Sequence, residues 1–492
     1  MTRFLKLAPV LALALSLSFP SACSRKESAG PAQGTPSVPL KLPPDLTTKP
    51  GNTCEVTFTD RVVKMEQRAF LDSIRSISSD NRTFVFDPHD ATASRLKQGD
   101  ILFVPGVAMR KVDVATQQGG YTVIVTEDAA LLDAFKDANI SWTTPVNFVE
   151  AQQQTQAALN PAPPPAFRLL DLVETKAYAQ TKLSFSGEDD GWKYTVDATP
   201  VSGQLNLQMT VSREWEGIEV KIDGSGYVQN FENVTKLVVK DNQLQELDFK
   251  NSDLKGLINF NWEASKKSGG VEAAEFKVKL PSSFSTLLPI GGIPFALEVS
   301  EALLIHPAFT GNNEIARGRF RVQYDGTEGF SLKGGNAEQD GQAGAEGSIV
   351  EHFSATPLAP VGFVCAVSMP RVELKLGTAS VFQFVKQYVP SALADGLVNA
   401  LKKVPVFGKW IDQKIANKLE TNAAAYAQVI ISTSTIAAGT ATLVPCQRAQ
   451  LIITIMVGAN GKVIGKDVAN VDKVVFRQEK KVVVPPTKAC EG

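Results

Sequence analysis

Apolar and polar residues alternate with period two through most of the chain between Leu183 and Leu376. Leu205, Leu207, Met209 and Val211 share one parity, as do Ile218, Val220 and Ile222, then Leu237 and Val239. Leu247 and Phe249, Ile258, Phe260 and Trp262, Phe276, Val278 and Leu280, and Phe320, Val322 and Tyr324 continue the series. That spacing puts successive side chains on opposite faces of a strand, one face buried and one solvated. Asp223-Gly224, Asp241-Asn242, Ser268-Gly269-Gly270 and Asp325-Gly326 read as turns between the strands. At the centre lies Leu287 to Gly311, where two prolines and a Gly-Gly pair precede Phe295, Leu297 and Val299. The pattern predicts one large antiparallel β domain over residues 183–376, a sandwich or barrel-like meander.

Upstream, Ile101 and Phe103, then Tyr121, Val123 and Val125, alternate as strands do, and Gln118-Gly119-Gly120 supplies a hairpin turn. The stretch from Thr126 then takes helical spacing, with Thr126 as N-cap and Leu131, Leu132 and Phe135 on one face. Together these predict a small β-rich (α+β) module over 54–150. The passage Gln98 to Trp142 resembles a short β-rich module of bacterial secreted and surface proteins, and that resemblance carries no catalytic role.

The Gln/Ala/Pro-rich run in 151–182 reads as a semi-rigid spacer. After Leu376 the period changes. Val381, Phe384, Val385 and Tyr388, then Leu393, Leu397, Val398 and Leu401, then Trp410, Ile411, Ile415 and Leu419 recur at helical spacing, with Pro390, Pro405 and Gly408 between them. Residues 377–427 are therefore predicted as a helical insertion, and 428–492 as strands that complete the β domain. The expected fold class is mainly β.

The N-terminus follows another rule. Arg3 and Lys6 precede the apolar run Leu7 to Phe19, and the small residues Ser21 and Ala22 precede Cys23. The run is too short for a comfortable membrane span and has the length of a signal-peptide core. Residues 1–22 with Cys23 resemble the bacterial lipobox, which implies cleavage before Cys23 and its acylation; Pro20 stands where that pattern usually has leucine. Residues 23–53, rich in Pro, Ser, Thr and Gly, suit a flexible tether. Ser24 after the anchor implies the outer membrane by the sorting rule of enterobacterial lipoproteins.

Composition narrows the partners. Fifty basic and 51 acidic residues give a net charge of -1, too balanced to attract nucleic acid. Four cysteines besides Cys23, none in CxxC spacing, fit two disulfides in an oxidising compartment; three connectivities are open, of which Cys365 with Cys446 and Cys54 with Cys490 is favoured. No metal or cofactor is expected.

Catalytic constellations are sparse. Of the three histidines, His89 sits between Asp87 and Asp90 and reads as an exposed turn, while His306 and His352 have no obvious company. The chain carries neither HExxH nor G-x-S-x-G. Ser252 and Lys255 match S-x-x-K without the other motifs of that chemistry, and Gly334 to Gly347 has the composition of a glycine-rich exposed loop. Asp171, Glu174, Asp189 and Asp190 could serve as glycosidase carboxylates, but acids are too numerous to single them out. The sequence favours a non-catalytic, lipid-anchored envelope protein acting in adhesion or envelope interaction. Two alternatives stand beside it: an apolar-ligand carrier using Phe384, Leu397 and Leu401, and a carbohydrate-binding protein using Trp192, Trp215 and Trp262.

Overall fold

The computed structural model describes residues 44–78, 82–150, 182–189, 191–267, 272–273, 276–280, 284–309, 314–355, 361–377, 424–439, 445–460 and 471–486. The fold is mainly β, built from large, curled antiparallel sheets.

The chain opens with β1 (Thr53–Phe58) in a first, eleven-stranded sheet, then leaves it. It forms a separate six-stranded sheet from β2 (Val62–Lys64), β3 (Ile74–Ile77), β4 (Thr83–Phe86), β5 (Ile101–Val104), β6 (Ala108–Gln118) and β7 (Tyr121–Asp128). It returns with β8 (Phe135–Val146), which pairs with β1. A meander of β9 (Leu183–Asp189), β10 (Trp192–Val201), β11 (Gln204–Trp215) and β12 (Ile218–Gln229) runs into β13 (Phe231–Lys240) and turns back as β14 (Gln243–Lys266). One edge of β14 pairs with both β12 and β13, which lie end to end. Asp241 and Asn242, at φ 50° and 60°, make the two-residue turn that joins β13 to β14.

Four strands then leave for another sheet: β15 (Glu272–Ala273), β16 (Phe276–Lys279), β17 (Phe284–Ile290) and β18 (Ile293–Phe309). The chain comes back with β19 (Glu314–Lys333) on the other edge of β14, followed by β20 (Asn336–Gln339) and β21 (Ala343–Ala355), both paired with β19. The last strands, β22 (Val361–Leu376), β23 (Ala425–Gly439), β24 (Pro445–Ala459) and β25 (Val471–Val484), add to β18 in sequence order. The first and second sheets pack face to face. Trp262 meets Phe363 at 4.2 Å between ring centroids, Trp142 meets Phe295 at 5.0 Å, and Phe148 meets Phe284 at 4.9 Å. One continuous apolar core fills the space between them, and the small sheet carries its own core around Phe70, Phe84, Phe86 and Leu102.

Several expectations are corrected. Asp223-Gly224 lies inside β12 and Asp325-Gly326 inside β19, so neither is a turn between strands. The glycines serve other needs: Gly224 makes room for Met209, and Gly326 takes φ 148° where a Cβ would meet the backbone of Gln342 and Ala343. Thr126 caps no helix. It lies in β7, where its hydroxyl donates to the Arg82 carbonyl and accepts from Arg110 Nε, and only Leu131–Ala134 are helical. The segment from Gly334 to Gly347 is a turn followed by β20 and the start of β21, held by pairing with β19. The module expected over 54–150 is not separate, because β1 and β8 belong to the large sheet. The spacer at 151–181 and residues 378–423 of the expected helical insertion fall outside the described residues, whereas Ala425 to Ala427, expected at its helical end, begin β23.

Both proposed disulfides are also corrected. Cys54 and Cys365 carry free thiols. Cys365 stands opposite Thr433 of β23, whereas Cys446 stands opposite Ala438 of the same strand. That stagger of five residues is about 17 Å, with β23 lying between, and a disulfide needs Cα atoms about 4.4–6.8 Å apart. Cys54 sits against Ile290, its thiol 3.5 Å from the carbonyl oxygen, and burial, then the charge of Asp45, pushes its pKa up to about 11. Cys446 is not free, and Cys490 lies outside the described residues.

Candidate functional site

Strands β12, β14, β19 and β21 turn one parity inward and the other toward solvent. Inward, Ile222, Trp262 and Phe320 are buried at 0–2 % exposure. Outward, the same strands line a cleft of about 410 Å³ with Lys221, Asp223, Asn261, Glu263, Arg317, Arg319 and Glu351. Register fixes the pattern. Lys221 faces Glu263, which faces Arg317; Asp223 faces Asn261, which faces Arg319, which faces Glu351. Opposite charges are therefore neighbours across adjacent strands, the arrangement that favours cross-strand pairing.

The lattice is partly self-satisfied. Arg317 Nε lies 3.0 Å from Glu351 Oε1, and Arg319 Nη2 lies 3.9 Å from Glu351 Oε2. Lys221 Nζ lies 3.2 Å from Asp223 Oδ2, and Thr210 Oγ1 donates to Asp223 Oδ1 at 3.0 Å. In the cleft floor the Asn261 carbonyl oxygen is shielded and accepts no hydrogen bond from the described residues. Such exposed pairs add little stability individually, so the cleft offers its donors and acceptors at small cost.

A second polar group lies inside the sandwich. Asn233 Oδ1 accepts from Trp142 Nε1 at 2.9 Å and from Thr235 Oγ1 at 3.1 Å, while Asn233 Nδ2 donates to Asn251 Oδ1 at 2.9 Å. Glu328 stands directly across from Asn251 and is 1 % exposed. Burial pushes its carboxyl up to about pKa 8.

The residues singled out by sequence scatter. Trp192 and Trp262 are buried, Trp262 Nε1 donates to Thr433 Oγ1 at 3.1 Å, and Trp192 meets Trp215 at 54°, so these rings form no sugar-stacking platform. His89 is an exposed turn residue whose backbone N–H donates to Asp87. Ser252 and Lys255 lie on β14, and Lys255 pairs with Asp325 at 3.3 Å. Cys23, Phe384, Leu397, Leu401, Asp171, Glu174 and Asp190 fall outside the described residues. No group of three or more His, Cys, Asp or Glu able to hold a metal ion occurs among the described residues.

Sequence reading missed the cleft residues altogether. Their signal, polar side chains at the outward parity, is common to every solvated strand, and the pairing of β14 with β19 spans a 47-residue excursion from Lys267 to Asn313.

Two families match parts of the chain. One, described as a domain of unknown function (DUF8403), matches residues 46–137, and another, also a domain of unknown function (DUF8402), matches residues 177–396. No curated protein and no solved structure matches. The second match takes in β9 to β22, and so every strand of the cleft.

Proposed function

We propose that the chain is a non-catalytic, lipid-anchored envelope protein that engages an envelope or surface partner through the polar cleft on the outward face of its large sheet. The observation that carries this reading is the division of labour along β12, β14 and β19. Their inward residues close a packed core, and their outward residues gather six polar side chains, with Glu351 of β21 as a seventh, into one concavity. A concave, polar, solvent-facing site built on rigid strands is organised for recognition. Cys23 and the tether after it would hold the folded part off the membrane, and two acyl chains suffice for stable anchoring where one does not. No helix among the described residues is long and apolar enough to cross a membrane.

Two measurements test the reading. Sedimentation of the purified protein with isolated cell envelopes is expected to fall at least about tenfold in Arg317→Glu/Arg319→Glu, a change of about 1.4 kcal/mol or more. Equal sedimentation of variant and parent would remove the cleft from the function. Labelled palmitate is expected to enter the full-length protein in a bacterial host and to be lost completely in Cys23→Ser. Retained label in that variant would refute the anchor.

A further inference from the structure

The chemistry of the cleft restricts what it can hold. Lys221, Arg317 and Arg319 are balanced by Asp223, Glu263 and Glu351, so it offers no net field to an ion of either sign. Arg317, the natural anchor for a phosphate or carboxylate, already lies 3.0 Å from Glu351. A simple anion would therefore have to displace a carboxylate that is in place. A folded protein partner fits poorly for another reason: stable interfaces bury about 800 Å² per side around aromatic or aliphatic anchors, and the residues facing into this cleft are polar.

What remains is a ligand that needs donors and acceptors interleaved over a few ångströms. The rows Lys221–Glu263–Arg317 and Asp223–Asn261–Arg319–Glu351 supply that alternation at the strand spacing of about 4.8 Å. A sugar hydroxyl both donates and accepts, and vicinal hydroxyls bridge a guanidinium to a carboxylate without separating the pair.

We infer that the cleft is a binding site for an uncharged, hydroxyl-rich ligand, a short segment of a neutral glycan. This rests on the envelope-interaction reading and deepens it by naming the class of partner. Recognition runs through planar polar side chains, because the Trp262 ring beneath the cleft faces the core and offers no stacking surface. Single-site affinity is accordingly weak, and many copies held on one membrane would bind by avidity.

The test uses the full-length protein and a panel of neutral oligosaccharides of glucose, mannose, galactose and N-acetylglucosamine, read by saturation-transfer NMR at about 0.05 M and about 0.5 M salt. At least one sugar is expected to bind with little salt dependence. Binding is expected to weaken at least tenfold in Asn261→Leu and in Arg319→Gln, and to persist in Lys255→Ala, about 20 Å along the same face of β14. Circular dichroism confirms that each variant is folded. If no neutral sugar binds, or if binding ignores both cleft variants, the inference is overturned. If only charged polymers bind and salt abolishes it, the inference is overturned while the envelope reading stands. Sugar binding that follows the variants, with no sedimentation on envelopes, supports the inference and defeats the broader reading.

Discussion

Glu328 sits in an environment that opposes its ordinary charge state. It sits on the inward face of β19, and its carboxyl, raised to about pKa 8, is largely protonated at neutral pH. The unfolded chain would release that proton near 4.5, so between 4.5 and about 8 the native state binds more protons than the unfolded state. Stability from this group is therefore fully present below pH 4.5 and is lost as pH rises through 8, at up to about 1.4 kcal/mol per pH unit. Denaturant titrations of the native protein and of Glu328→Gln across this window are expected to diverge, with the variant losing the part of the slope owed to Glu328. Parallel curves would show that the carboxyl reaches solvent. Nothing in the alternation around Tyr324, Glu328 and Phe330 marks Glu328 as buried beyond its parity, and its unusual state was not legible in the sequence.

Strand β14 shows which element-level features the sequence reveals. Its two alternating runs, Leu247 to Phe249 and Ile258 to Trp262, are plain although the inward parity switches at the bulge between Asn251 and Leu254, and Asp241-Asn242 correctly marks its start. Its length is not plain. At 24 residues it runs past the places where Asp-Gly pairs on its partners read as breaks, because glycine serves close approach as readily as turning. Gly226 on β12 is the clearest case: a Cβ there would lie 2.1 Å from the Leu257 carbonyl oxygen of β14. Gly226→Ala is expected to cost about 1–3 kcal/mol, seen as a lower urea midpoint with an unchanged slope. An unchanged midpoint would mean that the two strands part freely. Thr126 misleads in the opposite sense. Leu131, Leu132 and Phe135 do fall on a helical period, but pairing of β7 with β6 and of β8 with β13 outweighs the local preference.

At the scale of the molecule, the N-terminal segment and the small sheet both meet the second sheet at its β17–β18 turn, and the small sheet meets it again through charge. The Asp45 carboxylate accepts from the backbone N–H groups of Gly291 and Gly292 at 2.9 and 2.8 Å, and Gly106 N–H donates to the Gly292 carbonyl at 2.6 Å. Burial opposes ionisation of Asp45, but these N–H groups and those of Thr47 outweigh it and hold its pKa below the ordinary value. The Asp45 contribution is thus present above the usual carboxylate range and is lost as pH falls through its depressed pKa. Asp45→Ala is expected to speed hydrogen exchange at Gly291 and Gly292 by about 10-fold or more, as two charge-assisted bonds are lost. Unchanged exchange would assign the clasp to Gly106 alone. The second fastening is ionic. Arg110 and Asp128 pair within the small sheet, Lys375 lies 2.6 Å from Glu298 and 3.5 Å from Glu373 within the second, and the charge of Lys375 acts on Asp128 across the two. Burial would raise the Asp128 pKa, yet Arg110 and Lys375 outweigh it and keep the carboxyl charged.

The pairing of β1 with β8 around the whole small sheet has a consequence for chain integrity. The tip of the β6–β7 hairpin, Gly119-Gly120, is exposed and is a natural point for a protease to enter. A cut there separates β1 to β6 from β7 and everything after it. Yet β1 remains bonded to β8, β6 to β7 and β4 to β7. The nicked molecule should run as two bands under denaturing conditions and as one species in native chromatography, its two pieces held like the halves of a zipped seam.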